Sequence, residues 1–138
     1  MTLLDTDILS LYFAGHGKVE ENYENETDDV TTTVITRIEI LAGRFASVIK
    51  AEDGGKLLYA QRKLRETEEN LAKLAIMPLD AQAALTFDRL RENKKLKKIG
   101  RRDLLIASIA LAQNATLVTR NVRHFQQVPG LKFKNWAD

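Results

Sequence analysis

The amino-acid sequence predicts an α/β fold, a three-layer α/β/α sandwich in which a mostly parallel sheet lies between two layers of helices. Short apolar or β-branched segments alternate along the chain with longer segments that have helical spacing. Residues 103–112 are apolar on every side except at Asp103 and Ser108, which is typical of a central buried helix. Only two residues separate this segment from the next apolar strand, so the helix should pack directly on the sheet.

Composition predicts one domain that spans residues 1–138. The chain has 138 residues, 44% of them apolar, so it is long enough for one core and too short for two comfortable domains. Its net charge is only +2, so any binding to a polyanion must be local. It has no cysteine, which excludes disulfides and thiolate metal sites and fits a reducing compartment. With no basic leader and no apolar run near the roughly 18 residues of a membrane span, we expect a soluble cytoplasmic protein.

The first strand is predicted to end at Asp5. An apolar run precedes this residue, and helical spacing resumes at Ile8. In open parallel sheets, ligands bind outside the carboxyl ends of the strands, so Asp5 lies where such folds carry their chemistry. The sequence leaves open a purely structural role, in which Asp5, Thr6 or Asp7 only caps the next helix.

A second strand and a long helix are predicted over residues 30–33 and 34–50. The polar segment 15–29, with six acidic residues, precedes them as a solvated helix or loop. Thr33 is the expected N-cap of the long helix. Within it, Glu39 and Gly43 lie four residues apart on one face, so the glycine should leave open space beside the carboxylate. Glu39 either has a compensating partner or metal among its apolar neighbours, or simply faces water.

A helical hairpin is predicted next. Residues 52–55 form a turn rich in glycine, and a second helix runs from residue 56 to about 75. The apolar residues of the two helices are unevenly spread, so the hairpin is a candidate surface for a homodimer or another partner. An ordinary solvated helix pair is the alternative.

A basic run precedes the central helix. Before it, residues 76–79 form at most an edge strand because they include a proline, and Asp80 caps a helix over residues 81–93. Residues 94–102, KKLKKIGRR, then carry six basic side chains and no acid. This run is either a solvated face or a surface for phosphate groups, and Asp103 follows it directly.

The last segments place further polar groups beside a strand end. Asp103 lies in the first turn of the central helix, where the helix dipole favours an anion. A buried strand over residues 115–119 is followed by Arg120 and Asn121. Residues 131–133 form a possible last edge strand, and Trp136 is expected to cover the core.

Four segments together resemble the PIN domain, and most closely the VapC-type toxins of bacterial and archaeal toxin–antitoxin pairs. In chain order they are LLDTDIL, TTVITRIEILAG, IGRRDLLIASIAL and ATLVTRNVRHFQQVPGL. The resemblance runs from Thr2 to about Trp136. It implies an RNA-cleaving enzyme whose acidic residues hold Mg²⁺ or Mn²⁺ at the carboxyl edge of a parallel sheet. The toxin–antitoxin pairing implies a cognate antitoxin as partner.

The resemblance assigns the catalytic and metal-holding roles to Asp5, Glu39 and Asp103. Thr119 matches the small hydroxyl residue that ends the fourth strand, with Asn121 as a second supporting residue.

The chain departs from the family pattern after Thr119. Many PIN domains carry a further acid either at the position of Asn121 or three residues later, where this chain has His124. Asn121, His124 and Asp7 therefore remain alternatives for the fourth position. We expect one metal ion to bind firmly and a second only with substrate.

General chemistry supports the same expectation. Two carboxylates about 4 Å apart repel by about 4 kcal/mol at an effective dielectric constant near 20, so converging acids need a cation or a proton. Mg²⁺ suits such a site because it prefers oxygen ligands and keeps several waters.

The basic run supplies the expected contacts with the substrate. The side chains expected to bind RNA phosphates are Lys97, Lys98, Arg101 and Arg102.

Two other functions remain possible from the sequence. One is a non-catalytic RNA-binding or regulatory module on the same fold, which the missing fourth acid and the basic run favour. The other takes Asp5 and Asp7 as the paired aspartates of a haloacid dehalogenase-like phosphatase. The residue at Leu9 and the short chain fit that motif poorly.

Overall fold

The computed structural model describes all residues 1–138 and contains five strands and seven α-helices. The strands are β1 Thr2–Leu4, β2 Val30–Thr33, β3 Ala75–Met77, β4 Thr116–Val118 and β5 Lys132–Lys134. The helices are α1 Thr6–Phe13, α2 Gly17–Asn25, α3 Val34–Lys50, α4 Gly54–Ala72, α5 Ala81–Arg91, α6 Arg101–Ala112 and α7 Val122–Phe125, with one 3-10 turn at Lys94–Leu96. No helix combines the length and the apolar character that crossing a bilayer requires.

The sheet has the order β3-β2-β1-β4-β5, and every pair of neighbouring strands is parallel. Leu4 at the end of β1 is in register with Thr32 on one side and with Val118 on the other. The chain leaves β1 toward β2 and β3, and it returns on the opposite side of β1 as β4 and β5. The carboxyl ends of β1 and β4 therefore border a topological switch point, where parallel α/β sheets form their ligand crevice.

Both faces of the sheet are buried, which confirms the predicted sandwich. Leu3 and Leu117 belong to a core formed with α5 and α6, whereas Leu4 and Val118 belong to a second core formed with α1, α2 and the α3–α4 hairpin. This alternation follows from the two-residue period of a strand. Helix α6 is buried over most of its length, as its apolar sequence predicts.

Several element boundaries differ from the sequence-based predictions. Helix α6 begins at Arg101, two residues before Asp103, because Gly100 takes an extended conformation and serves as its N-cap. Helix α4 begins at Gly54, because the side chain of Asp53 accepts a hydrogen bond from the Lys56 amide at 2.8 Å and caps it there. The polar segment contains helix α2, and the short helix α7 was not predicted.

Candidate active site at the carboxyl edge of the sheet

Asp5 lies directly after β1 and is 4% exposed. Its amide donates to the Val118 carbonyl at 3.1 Å, which continues the β1–β4 pairing by one step. Its Oδ1 accepts from the Ile8 amide at 2.9 Å and caps α1. The hydroxyl of Thr119, which follows β4, also hydrogen-bonds to the Asp5 carboxylate. Asp5 is thus both the helix cap and a buried carboxylate at the strand end, so the two sequence-based readings are compatible.

Burial changes the proton affinity of Asp5. Desolvation raises the pKa of this carboxyl group from 3.8 to about 6, and the nearby charges of Asp7 and Asp103 act in the same direction. The hydrogen bonds from Thr119 and from the Ile8 amide oppose this shift. No basic side chain contributes to the pKa of this carboxyl group.

Asp103 approaches from α6 and is held by residues that follow β4. Asn121 Nδ2 donates to Asp103 Oδ2 at 3.3 Å, and His124 Nδ1 lies 3.9 Å from the same oxygen. Asn121 Nδ2 also lies 2.8 Å from His124 Nδ1. Desolvation raises the Asp103 pKa, helped by the charges of Glu39 and Asp7, while the Asn121 hydrogen bond and His124 lower it. Of the three candidates for the fourth position, Asn121 and His124 flank Asp103 itself.

Glu39 has two partners that no local sequence pattern indicates. Thr6 Oγ1 donates to Glu39 Oε1 at 2.9 Å, and Arg102 Nη1 lies 3.2 Å from Glu39 Oε2. The Glu39 side chain is 19% exposed, so the alternative in which it simply faces water does not hold. Thr6 also contacts the Thr36 hydroxyl at 3.1 Å, which joins α1 to the first turn of α3.

The basic run borders the acidic groups. Leu96 and Ile99 are buried and anchor the segment, which leaves Lys97 and Lys98 exposed. The Arg101 guanidinium lies 5.3 Å from the centre of the Phe87 ring, a cation–π contact that fixes this side chain beside α5. Arg102 pairs with Glu39, and its contact with RNA phosphate stays a prediction.

The donor set fits a hard divalent cation that keeps most of its waters. Asp5, Glu39, Asp103 and Asp7 supply oxygen ligands only. The charge of Asp7 helps to raise the pKa of both Asp5 and Asp103, and the charge of Glu39 helps to raise that of Asp103. No three carboxylate or imidazole groups converge into a preformed cage. Mg²⁺ binds in this way, through one or two carboxylates with substrate phosphate and water completing its shell.

The fold and the site together define a class of α/β proteins with an acidic crevice between two strand ends. The family model described as PIN domain matches residues 2–131 of this chain. The chain therefore belongs to the PIN domain family.

Two relatives place the chain more closely within that family. Ribonuclease VapC2 of Rickettsia felis is 35% identical over 108 residues, which cover 72% of this chain and 81% of the relative. The tRNA(fMet)-specific endonuclease VapC of Salmonella typhimurium is 28% identical over 121 residues, which cover 86% of this chain and 84% of the relative. The chain thus falls in the VapC group of PIN domains, as its sequence motifs predicted.

Solved structures show the same fold. A VapBC2 complex from Rickettsia felis, bound to a DNA fragment from its promoter, matches with a TM-score of 0.79 and 31% identity over 98% of both chains. VapBC-1 from nontypeable Haemophilus influenzae matches with a TM-score of 0.81 and 25% identity, covering 99% of this chain and 98% of the other.

Proposed function

We propose that this protein is a metal-dependent endoribonuclease, the toxin of a VapBC-type toxin–antitoxin pair. The observation that carries the proposal is the pair of carboxylates, Asp5 and Asp103, whose pKa values are raised by burial at the switch point between β1 and β4. Such acids at the carboxyl edge of a parallel sheet suit a divalent cation and a phosphodiester. The names of the relatives, which are ribonucleases, agree with an RNA substrate.

In this proposal Asp5, Glu39 and Asp103 would hold the cation, either directly or through its bound waters. Mg²⁺ or Mn²⁺, when bound, supplies Lewis-acid chemistry and lowers the pKa of water. Thr119 orients the Asp5 carboxylate through its hydroxyl, and Asn121 orients Asp103 through its amide. The phosphates of the RNA would face the positive charges of Lys97, Lys98 and Arg101. Arg102 would add a fourth positive charge once a bound cation neutralises Glu39.

The protein partners belong to the same proposal. The structural neighbours from Rickettsia felis and Haemophilus influenzae are VapBC assemblies, which supports a cognate antitoxin for this chain. The α3–α4 hairpin carries large exposed apolar side chains that suit a protein contact, namely Ile38, Phe45, Ile49, Leu57, Leu58 and Tyr59.

Cleavage of a defined RNA with Mg²⁺, Mn²⁺ or EDTA tests the proposal. Asp5→Asn and Asp103→Asn should each abolish cleavage and leave the far-ultraviolet circular dichroism unchanged. Asp80→Asn is the matched control, because Asp80 caps α5 in the same way, with Oδ1 accepting from the Ala83 amide at 2.9 Å, and lies outside the site. Cleavage at the parental rate by either site variant contradicts the assignment.

The missing fourth acid favours one other function, a non-catalytic RNA-binding module. Asn121 and His124 occupy the positions around Asp103 where many PIN domains carry a carboxylate. The same assay separates the two functions. RNA that the parent protein binds but does not cut under either metal supports the binding module.

A further inference from the structure

A polar groove leads away from Glu39 between α1 and α3, with a volume of about 400 Å³. Thr6 and Ser10 line it from α1, and Glu39, Gly43 and Arg44 line it from α3. Ile40 is its only apolar lining residue. None of the catalytic roles proposed above uses Ser10, Gly43 or Arg44.

Arg44 is the unusual residue of this groove. It is half-buried, and no carboxylate lies within ion-pair distance of its guanidinium, in contrast to Arg102. Its Nε donates to Thr67 Oγ1 on α4 at 3.1 Å, and Thr67 is 4% exposed. A neutral hydroxyl group therefore holds the arginine in place and leaves its positive charge uncompensated.

Gly43 keeps the groove open beside Arg44. A Cβ atom built at this position would meet no other atom within 4 Å, so the space above the helix is free. Four residues along a helix correspond to about 6 Å, so Gly43 lies about that far from Glu39 along α3. The groove therefore extends about one helical turn beyond Glu39.

We propose that the groove is a subsite for single-stranded RNA, which takes the nucleotide next to the cleaved bond, and that Arg44 binds its phosphate. The inference rests on the proposed ribonuclease function and names where the flanking strand lies. The guanidinium groups of Arg44 and Arg102 and the hydroxyl groups of the two α1 residues suit a sugar–phosphate backbone. The one carboxylate of the lining, Glu39, is paired with Arg102 at 3.2 Å. A peptide segment would require a more apolar lining than Ile40 alone provides.

Binding of a fluorescently labelled single-stranded RNA in EDTA, followed by anisotropy at several salt concentrations, tests the subsite without cleavage. Arg44→Ala should weaken binding and lower the slope of log K against log salt by about 0.7, which corresponds to one lost phosphate contact. Thr67→Val should weaken binding about two- to tenfold with the slope unchanged, because the charge remains while its anchoring hydrogen bond is lost.

Two further variants separate the groove from general effects of charge. Arg62→Ala removes the same charge from the exposed face of α4, outside the groove, and should leave RNA affinity at the parental value. Gly43→Leu should fill the groove and weaken binding by more than tenfold. Its melting temperature should be at least that of the parent, because leucine favours a helix over glycine.

Parental affinity in Arg44→Ala, or an equal loss in Arg44→Ala and Arg62→Ala, overturns the proposal. Unchanged RNA binding by Gly43→Leu together with lost binding of an antitoxin assigns the groove to a protein and also overturns it. A parent that binds RNA through Arg44 and cleaves none refutes the ribonuclease function alone. A parent that cleaves RNA while Arg44→Ala binds it normally refutes the subsite alone.

Discussion

At the scale of single residues, Asn121 places a neutral amide beside Asp103 where an aspartate would add a second negative charge. Its amide donates to Asp103 Oδ2 at 3.3 Å. Asn121→Asp would replace this hydrogen bond by the repulsion of two adjacent carboxylates, about 4 kcal/mol at a separation near 4 Å and an effective dielectric constant near 20. We expect the variant to bind Mn²⁺ more tightly than the parent in calorimetric titrations without RNA. Equal affinities would show that residue 121 does not contribute to the metal site.

Arg102 is expected to compete with the cation for Glu39. Its guanidinium lies 3.2 Å from Glu39 Oε2, but its side chain is 74% exposed, so the pair is screened by solvent. Arg102→Ala should therefore tighten Mn²⁺ binding only modestly, by up to about fivefold. Arg101→Ala is the matched control, because it removes the neighbouring charge from the Phe87 ring and leaves Glu39 untouched. A similar gain in Mn²⁺ affinity in Arg102→Ala and Arg101→Ala would mean that net charge, and not the ion pair with Glu39, causes the effect.

At the scale of elements, the exposed lysines before α6 should bind RNA through charge alone. Lys97 and Lys98 have no acidic partner within ion-pair distance. The double change of both lysines to alanine should lower the salt slope of RNA binding by about 1.4, since each single-strand contact contributes about 0.7. Fluorescence anisotropy in EDTA measures this slope. An unchanged slope would make the segment an ordinary solvated surface.

The α3–α4 hairpin is expected to form a protein contact, either a homodimer interface or the antitoxin-binding surface. Ile49 is 84% exposed and Leu58 71% exposed, and both belong to the same helix pair. Ile49→Lys should reduce the mass measured by light scattering or weaken capture of the co-expressed antitoxin. Leu85→Lys, on the exposed face of α5, is the control and should do neither. A monomeric parent that binds no co-encoded protein contradicts this prediction.

At the scale of the whole molecule, the buried Asp5 carboxylate should limit stability near neutral pH. Its pKa is raised from 3.8 to about 6 by burial, so the folded protein holds this proton more tightly than the unfolded chain does. The free energy of unfolding should therefore fall as pH rises from 3.8 to about 6, by about 3 kcal/mol at most, and then level off. Asp103 acts in the same direction.

Asp5→Asn should remove this pH-dependent fall in the free energy of unfolding, because the asparagine amide stays neutral and still caps α1. Urea unfolding at neutral pH should show the variant to be more stable than the parent, and Mn²⁺ should stabilise the parent more than the variant. Asp80→Asn should change neither property. A variant less stable than the parent would mean that the Asp5 charge has a compensating partner.

The sequence by itself determined the layered fold and the approximate positions of the main acids. The short apolar or β-branched runs of the strands and the apolar character of α6 depend only on neighbouring residues, so β1, β2, β4 and the central helix could be predicted locally. Asp5 and Asp103 could be placed at the carboxyl edge for the same reason, since each follows or precedes a strongly apolar segment.

Only the tertiary structure decided which side chains meet. Arg102 and Glu39 are 63 residues apart in sequence, and their ion pair depends on how α6 approaches α3. The hydrogen bond from Arg44 to Thr67 likewise depends on the packing of α3 against α4. A charged side chain in a sequence shows a need for compensation but not its partner, because the partner is chosen by packing between elements distant along the chain.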